Sequence, residues 1–328
     1  MKVLLVRLSS MGDLIHTLPA IEDLAKNRPD IELHWLCEAN FSDIARLHPF
    51  VKKVHEMKWR QWRKEISKTN TWYEIGRLKK NLRDEQFDLV LDSQGLFKSA
   101  IFAKLANSPI SGLDFSSARE KWVSLFYHKT YTVSKDKNAV YRNRLLFSQV
   151  FNYSIPQKLS FGLKVPKLGK INELPENYYV ALHATSRDSK LWPTENWIAL
   201  LQKLYEDTGY IIYLPWGNGI EKQRAEKIVE QLPFARVCNK MSLLQASWLL
   251  DHAVGIIGVD TGLLHLANAL DKPVVGIYTD TNPLKTGVQE SDWAKNLGNI
   301  NKIPTTDEVY KKFKQCISAK QYQGKMSG

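Results

Sequence analysis

The sequence predicts an α/β protein made of two doubly wound, parallel-sheet domains. Three observations carry this reading. Apolar runs of strand length alternate with stretches of helical period along most of the chain. The alternation lapses over residues 152–175, where Pro156, Pro166 and Pro175 fall in a stretch with little periodicity. The length, 328 residues, is also about twice the ~150 residues of an average domain. We therefore divide the chain into residues 1–165 and 166–328.

The elements follow in order. KVLLVR opens the chain as a buried strand, and a helix is expected from Asp13 onward. ELHWLCE, KKVHEM and FDLVLDSQ read as further strands, with ISGLDF and KTYTVS as weaker ones and a helix over residues 75–85. In the second half YYVALH is a strand. Thr194 then caps a helix whose Trp197, Leu200, Leu201 and Leu204 recur at i, i+3, i+4 and i+7, one helical face. Gly209 ends that helix. IIYLPW, residues 221–232, residues 235–238, residues 242–250, VGIIGVD, TGLLHLANAL and KPVVGIY continue as strand, helix, strand, helix, strand, helix and strand. A last helix, residues 307–320, is free to pack on either domain. Strands separated by helices imply parallel sheets covered on both faces. In such sheets ligands bind beyond the carboxyl ends of the strands. The turns LSSMGD, DSQGLFK, HATSRDSK, PWGNG and VDTGLLH therefore matter most.

Composition narrows the function. Hydrophobic residues at 44% and charged residues at 24% are ordinary for a globular chain and argue against wholesale disorder. No apolar run reaches the ~20 residues of a membrane helix, and the start is too short for a signal peptide, so a cytoplasmic protein is expected. Cys37, Cys238 and Cys316 are too few and too scattered for a disulfide framework or a cysteine-rich zinc site. The net charge is +12 and lopsided: residues 1–165 hold 27 Lys and Arg against 17 Asp and Glu. The first half should face something anionic. There is no GxxxxGK[ST], no HExxH and no complete GxGxxG, because Lys222 stands where the third glycine would follow Gly217 and Gly219. VDTG matches the aspartic-protease signature, but it lacks the second copy that chemistry needs.

Four stretches remain. In VDTGLLH, Asp260 ends a buried strand and Thr261 and Gly262 open a helix; either its free N–H groups favour a diphosphate, with His265 adding a donor on the first turn, or Asp260 caps the helix and His265 is an ordinary surface or core histidine. In HATSRDSKLWP, the hydroxyls of Thr185 and Ser186 and the ammonium of Lys190 suit phosphate oxygens. Asp13 either caps its helix or acts as a general base. If the other domain holds the anion, Asp13 is left to face an attacking hydroxyl. KWRQWRK places Arg60 and Arg63 three apart beside Lys64, suited to phosphates, carboxylates, nucleic acid or an anionic membrane surface. Lys98, Arg119, Arg142 and Arg144 could extend that patch.

RLSSMGDLIHTLPA, DSQGLFKSA, SAREKWVSLFYH, HATSRDSKLWP, LPWGNGIEKQRA and GVDTGLLHLANAL, in that order, resemble the lipopolysaccharide heptosyltransferases of glycosyltransferase family 9. The HATSRDSK form is more like the members that add the first heptose than those that add the next. The resemblance implies a GT-B fold, two Rossmann-like domains facing a central cleft, with no catalytic metal and no cofactor. It implies transfer of L-glycero-D-manno-heptose from ADP-heptose to 3-deoxy-manno-octulosonic acid (Kdo) on lipid A, with inversion, at the cytoplasmic face of the inner membrane. Asp13 matches the catalytic base. Ser9, Thr185, Ser186 and Lys190 match donor contacts, with Lys190 assisting the departing diphosphate. Glu221 and Met241 match residues around the adenosine, and Asp260, Thr261, Gly262 and His265 match the diphosphate and heptose contacts. Arg60, Arg63, Lys64, Lys98, Arg119 and Arg142 match the surface for the acidic acceptor, with peripheral contact to an anionic membrane and no role for nucleic acid. The loop YTDTNPLKTG departs from the family in lacking a glycine–proline step. Two other readings stay open: an ADP-heptose transferase with a different acceptor sugar, and a non-catalytic basic protein that binds nucleic acid or membrane.

Overall fold

The computed structural model describes residues 1–167 and 174–326. The chain separates into two compact units, Met1–Lys164 and Val165–Gly328. In the first, strands β1 (Lys2–Val6), β2 (Glu32–Glu38), β3 (Val51–Met57), β4 (Leu89–Asp92), β5 (Ile110–Leu113) and β6 (Lys129–Tyr131) form a sheet in the order β3-β2-β1-β4-β5-β6. In the second, β7 (Tyr178–Leu182), β8 (Ile211–Leu214), β9 (Ala235–Val237), β10 (Gly255–Val259), β11 (Val274–Tyr278) and β12 (Ala294–Gly298) are ordered β12-β11-β10-β7-β8-β9. All the pairings are parallel. Counted from its own first strand, each sheet reads 3-2-1-4-5-6. Each therefore has one point where neighbouring connections leave in opposite directions: between β1 and β4, and between β7 and β10.

The central strands are buried on both faces, as their unbroken apolar runs require: β1, β7, β10 and β11 show no alternation. The helix expected from Asp13 begins instead at Met11, runs to Ile15, and is followed by a second helix, Leu18–Asn27, with Pro19 in its first turn. The helix expected over 75–85 spans Thr69–Asp84. Thr194 is the first residue of its helix rather than its cap; Pro193 takes the cap position, and Gly209 ends the helix in the left-handed conformation at φ 68°. The terminal helix, Thr306–Met326, belongs to the second unit. Its Val309, Phe313, Cys316 and Ile317 join the core formed by Tyr179, Leu200, Leu204 and Ile257.

That packing demands a glycine. A Cβ on Gly255 of β10 would lie 2.6 Å from the Phe313 ring, which also meets Tyr179 edge-on at 5.2 Å. Phe313→Ala should therefore destabilise the protein by about 3–5 kcal/mol. Gly255→Ala should also destabilise it, both read as lower midpoints in urea unfolding.

Candidate active site

In the first unit the site is built where β1 and β4 part. Arg7 follows β1 and is buried; its Nη1 donates to the Ser93 carbonyl beyond β4, and its Nη2 lies 3.2 Å from Asp13 Oδ1. The second Asp13 oxygen accepts from the Ser10 N–H at 2.9 Å and the Ser10 hydroxyl at 3.1 Å. So Asp13 does return to the residue that precedes its helix, as a capping acid would. Its side chain nonetheless stays 30% exposed, which leaves a face for a substrate. Burial acts to raise the Asp13 pKa, but the Arg7 charge and the Ser10 N–H outweigh it, so the carboxyl is held below its ordinary value. Asp13 is thus ionised, and able to receive a proton, throughout the neutral range. The neighbouring turn is fixed by Gln94, whose Oε1 accepts from the Leu8 N–H at 2.7 Å.

Beneath lies Asp92, wholly buried at the end of β4. It accepts from Ser99 Oγ at 2.7 Å, Tyr127 OH at 2.8 Å and the Gln94 N–H at 2.9 Å. Burial raises its pKa despite these donors. It ties the turn after β4 to the helix Phe97–Lys104 and to the segment before β6.

The basic residues gather around this crevice. Lys98 Nζ reaches Ser9 Oγ at 3.4 Å; its pKa is lowered by burial, with Arg60 and Arg63 adding repulsion that Glu38 partly offsets. Arg142 donates to the Ser117 carbonyl at 2.7 Å, and both Arg142 and Arg119 are close enough for Arg7 to feel their charge. Lys64 is exposed. Arg144 does not join them. It is buried in a bidentate pair with Asp23, at 2.6 and 3.2 Å, and binds the helix Ala139–Phe151 to Leu18–Asn27. The two tryptophans of KWRQWRK are not surface anchors either. Trp62 is buried and donates to Glu74 at 2.7 Å, and both rings pack on Phe102.

In the second unit the corresponding point, between β7 and β10, centres on Asp260. Its Oδ2 lies 2.6 Å from Lys190 Nζ and accepts from Thr281 Oγ1 at 2.9 Å; its Oδ1 lies 3.5 Å from His265 Nε2. Its carbonyl accepts from Thr185 Oγ1 at 2.7 Å. Burial would raise the Asp260 pKa, but the His265 and Lys190 contacts hold it far below the ordinary carboxylate range. The helix Gly262–Ala269 starts here, and Thr261 supplies no side-chain cap. First-turn N–H groups are therefore left for an anion, and the Asp260 charge that would repel it is already neutralised.

The flanking loops are tied to this centre. Thr279 Oγ1 donates to the Ser189 carbonyl at 2.8 Å, and Ser189 Oγ to Asp280 at 2.6 Å. The departure at YTDTNPLKTG thus has a structural outcome: Thr279, Asp280 and Thr281 fasten the loop to the Lys190 turn and to Asp260. Ser186 stands exposed on the same loop as Thr185. Glu221 lies after β8, where it accepts from the Gly217 N–H at 2.6 Å, and Met241 lies after β9, just before the helix Leu243–His252. Arg7, Gln94 and Thr281 were not singled out from sequence; the signal for Arg7 was a charge closing an otherwise apolar strand.

The three thiols have no part in this. Burial pushes Cys37 and Cys238 up to about 12 and Cys316 to about 11. Among the described residues His34, His55 and Glu85 have metal-ligand spacing, their ligand atoms lying within 4.8 Å of one another. They belong to β2, β3 and the end of a helix, and Glu85 is already paired with Lys2 at 3.0 Å and with Lys53.

Two doubly wound units, one presenting an ionised carboxylate among basic side chains and the other a neutralised helix start, are the framework of the GT-B glycosyltransferases, and comparison with known proteins places the chain among them. The model of glycosyltransferase family 9 (heptosyltransferase) matches residues 75–320, and the chain belongs to that family. It is similar to lipopolysaccharide heptosyltransferase 1 of Pseudomonas aeruginosa, 39% identical over 88% of this chain and 81% of the relative. The enzyme of that name from Escherichia coli is also 39% identical, over 86% and 89%. Among solved structures, E. coli heptosyltransferase WaaC with ADP superposes with a TM-score of 0.88 at 35% identity, covering 96% of this chain and 100% of that one. The same enzyme with ADP-2-deoxy-2-fluoro heptose gives 0.84 at 34%, over 98% and 100%.

Arg7→Gln should remove the charge that opposes burial at Asp13 and raise its pKa. The acid limb of the kcat/KM profile, set in the unaltered enzyme below the ordinary carboxylate range if Asp13 governs it, should then move to higher pH. A pH–rate profile of both forms checks this.

Proposed function

We propose that this glycosyltransferase moves L-glycero-D-manno-heptose from ADP-heptose to Kdo of Kdo–lipid A, inverting the anomeric centre, at the cytoplasmic face of the inner membrane. The observation that carries the reading is Asp13, held ionised by Arg7 yet partly open, with Lys98 at the adjacent Ser9, Arg60 and Arg63 near Lys98, and Arg119 and Arg142 near Arg7. A base set among cations suits an acceptor that is itself acidic. The related E. coli enzyme, solved with ADP and with a fluorinated ADP-heptose, supports the donor.

The chemistry divides between the units. The Asp13 carboxylate takes the proton of the acceptor hydroxyl as that oxygen attacks the anomeric carbon. The bond from that carbon to the diphosphate breaks, and ADP departs with the electron pair. The growing charge on the diphosphate meets Lys190, the first-turn N–H groups at Thr261 and Gly262, and the hydroxyls of Thr185 and Ser186. Asp260 and His265 orient Lys190 and the heptose. The order of strand ends places Glu221 and Met241 progressively farther from β10, a run that suits the adenosine.

Asp13→Asn should lower the transfer rate by about 10²–10⁴-fold. ADP affinity, measured by calorimetry, should stay within about twofold, since the donor contacts other than Ser9 lie on the second unit; a mutant of unchanged rate would exclude Asp13 as the base. Replacing Arg60, Arg63 and Lys64 together with alanine should raise the acceptor KM about tenfold or more. The donor KM should barely move, as initial-rate kinetics with each substrate varied in turn would show.

A further inference from the structure

The first unit carries an apolar surface that the reaction does not use. Phe97, Ile101, Phe115, Trp122 and Leu125 are 39%, 57%, 44%, 62% and 76% exposed. They come from two stretches that are packed together. The Phe97 N–H donates to Glu120 Oε2, the Glu120 N–H donates to the Gly95 carbonyl, and the Phe97 ring meets Phe126 edge-on at 5.8 Å. Ile101 stands one turn on from Phe97 along the helix Phe97–Lys104, on the same side. Phe115 and Trp122 meet edge-on at 5.1 Å. Large apolar side chains grouped in this way on a surface mark something that covers them.

The charge around the patch says what. Residues 95–131 contain Lys98, Lys104, Arg119, Lys121 and Lys129 against Asp114 and Glu120. Both acids are engaged: Asp114 accepts from Ser116, Ser117 and Thr132, and Glu120 from Phe97. Two of the ammonium groups lie over the rings, Lys104 Nζ 4.4 Å from the Phe126 centroid and Lys121 Nζ 5.8 Å from that of Phe115. Cations held against the aromatic side chains of an apolar surface are placed to meet lipid phosphates when that surface enters a headgroup region. Trp122 at the edge of such a surface is likewise an interfacial residue. Five cations against two acids that are already engaged make the surface complementary to an anionic bilayer.

We propose that this surface seats the enzyme on an anionic lipid bilayer, with Trp122 and Leu125 entering the headgroup region and the flanking lysines meeting lipid phosphates. The proposal rests on the reading of a lipid-anchored acceptor and adds to it. Lys98 and Arg119, which serve the acceptor, are carried by the same two stretches as the anchors, so the sugar would be presented at the height of the membrane surface. The apolar anchor is thus separate from KWRQWRK, whose tryptophans are turned inward.

Flotation with vesicles of phosphatidylglycerol and phosphatidylethanolamine, and with phosphatidylcholine alone, tests this. The unaltered enzyme should float with the anionic vesicles and only weakly with the neutral ones. Trp122→Glu with Leu125→Glu should lower partitioning about tenfold or more. Transfer to a water-soluble, deacylated Kdo acceptor should stay within about twofold, which also shows the double variant to be folded. Transfer to acceptor embedded in vesicles should fall. Equal flotation of both forms, or no flotation of the unaltered enzyme, would overturn the proposal, as would a dimer that the double variant disperses. No transfer to any Kdo acceptor by the unaltered enzyme would instead overturn the functional reading and leave the flotation result standing.

Discussion

A charged side chain at the end of a buried central strand needs partners there, and in each unit one such side chain is met by an opposite charge. Both units are organised around that requirement. Arg7 closes β1 and is met by Asp13; Asp260 follows β10 and is met by Lys190 and His265. Neither pair is a stabilising device in the first place, since removing two charges from water costs about as much as their attraction returns. What the pairs do is set the charge state of the groups that the proposed reaction uses. Arg7 keeps Asp13 a carboxylate. Lys190 cancels the charge of Asp260 beside the start of the helix Gly262–Ala269.

The two pairs also explain why the loops are where they are. Ser10 binds Asp13 from its own turn, while Gln94 and the Ser93 carbonyl fix the same turn from across the switch point. Thr281 and Thr185 do the equivalent around Asp260. In each unit the loops after the two central strands are held to one another by hydrogen bonds to the charged residue or its turn. The sites are therefore properties of the sheet order, and they would be scrambled by any change in which strand lies beside which.

Much of this was legible in the sequence, because the central strands are continuous apolar runs and the turns after them carry the chemistry. What escaped has physical reasons. β12 reads AKNLG, an edge strand buried fully only at Ala294, so it has neither an apolar run nor an alternation to detect. Arg144 looked like a member of the basic surface because its partner, Asp23, lies 121 residues away. Arg7 was passed over since a guanidinium ending a strand says nothing of which carboxylate it will hold. The inward packing of Trp62 in KWRQWRK is hidden in the sequence because the acceptor of its N–H, Glu74, sits on the next helix.

The placement of the terminal helix bears on how the chain is made. The first unit is complete once residue 164 has been synthesised, and nothing in its sheet waits on later residues. The second begins with a strand that becomes the middle of its sheet, and its core stays open until Val309, Phe313 and Ile317 arrive. On a ribosome the first unit can thus ripen early, while the second must keep its core unclosed until residues 309–317 have been made.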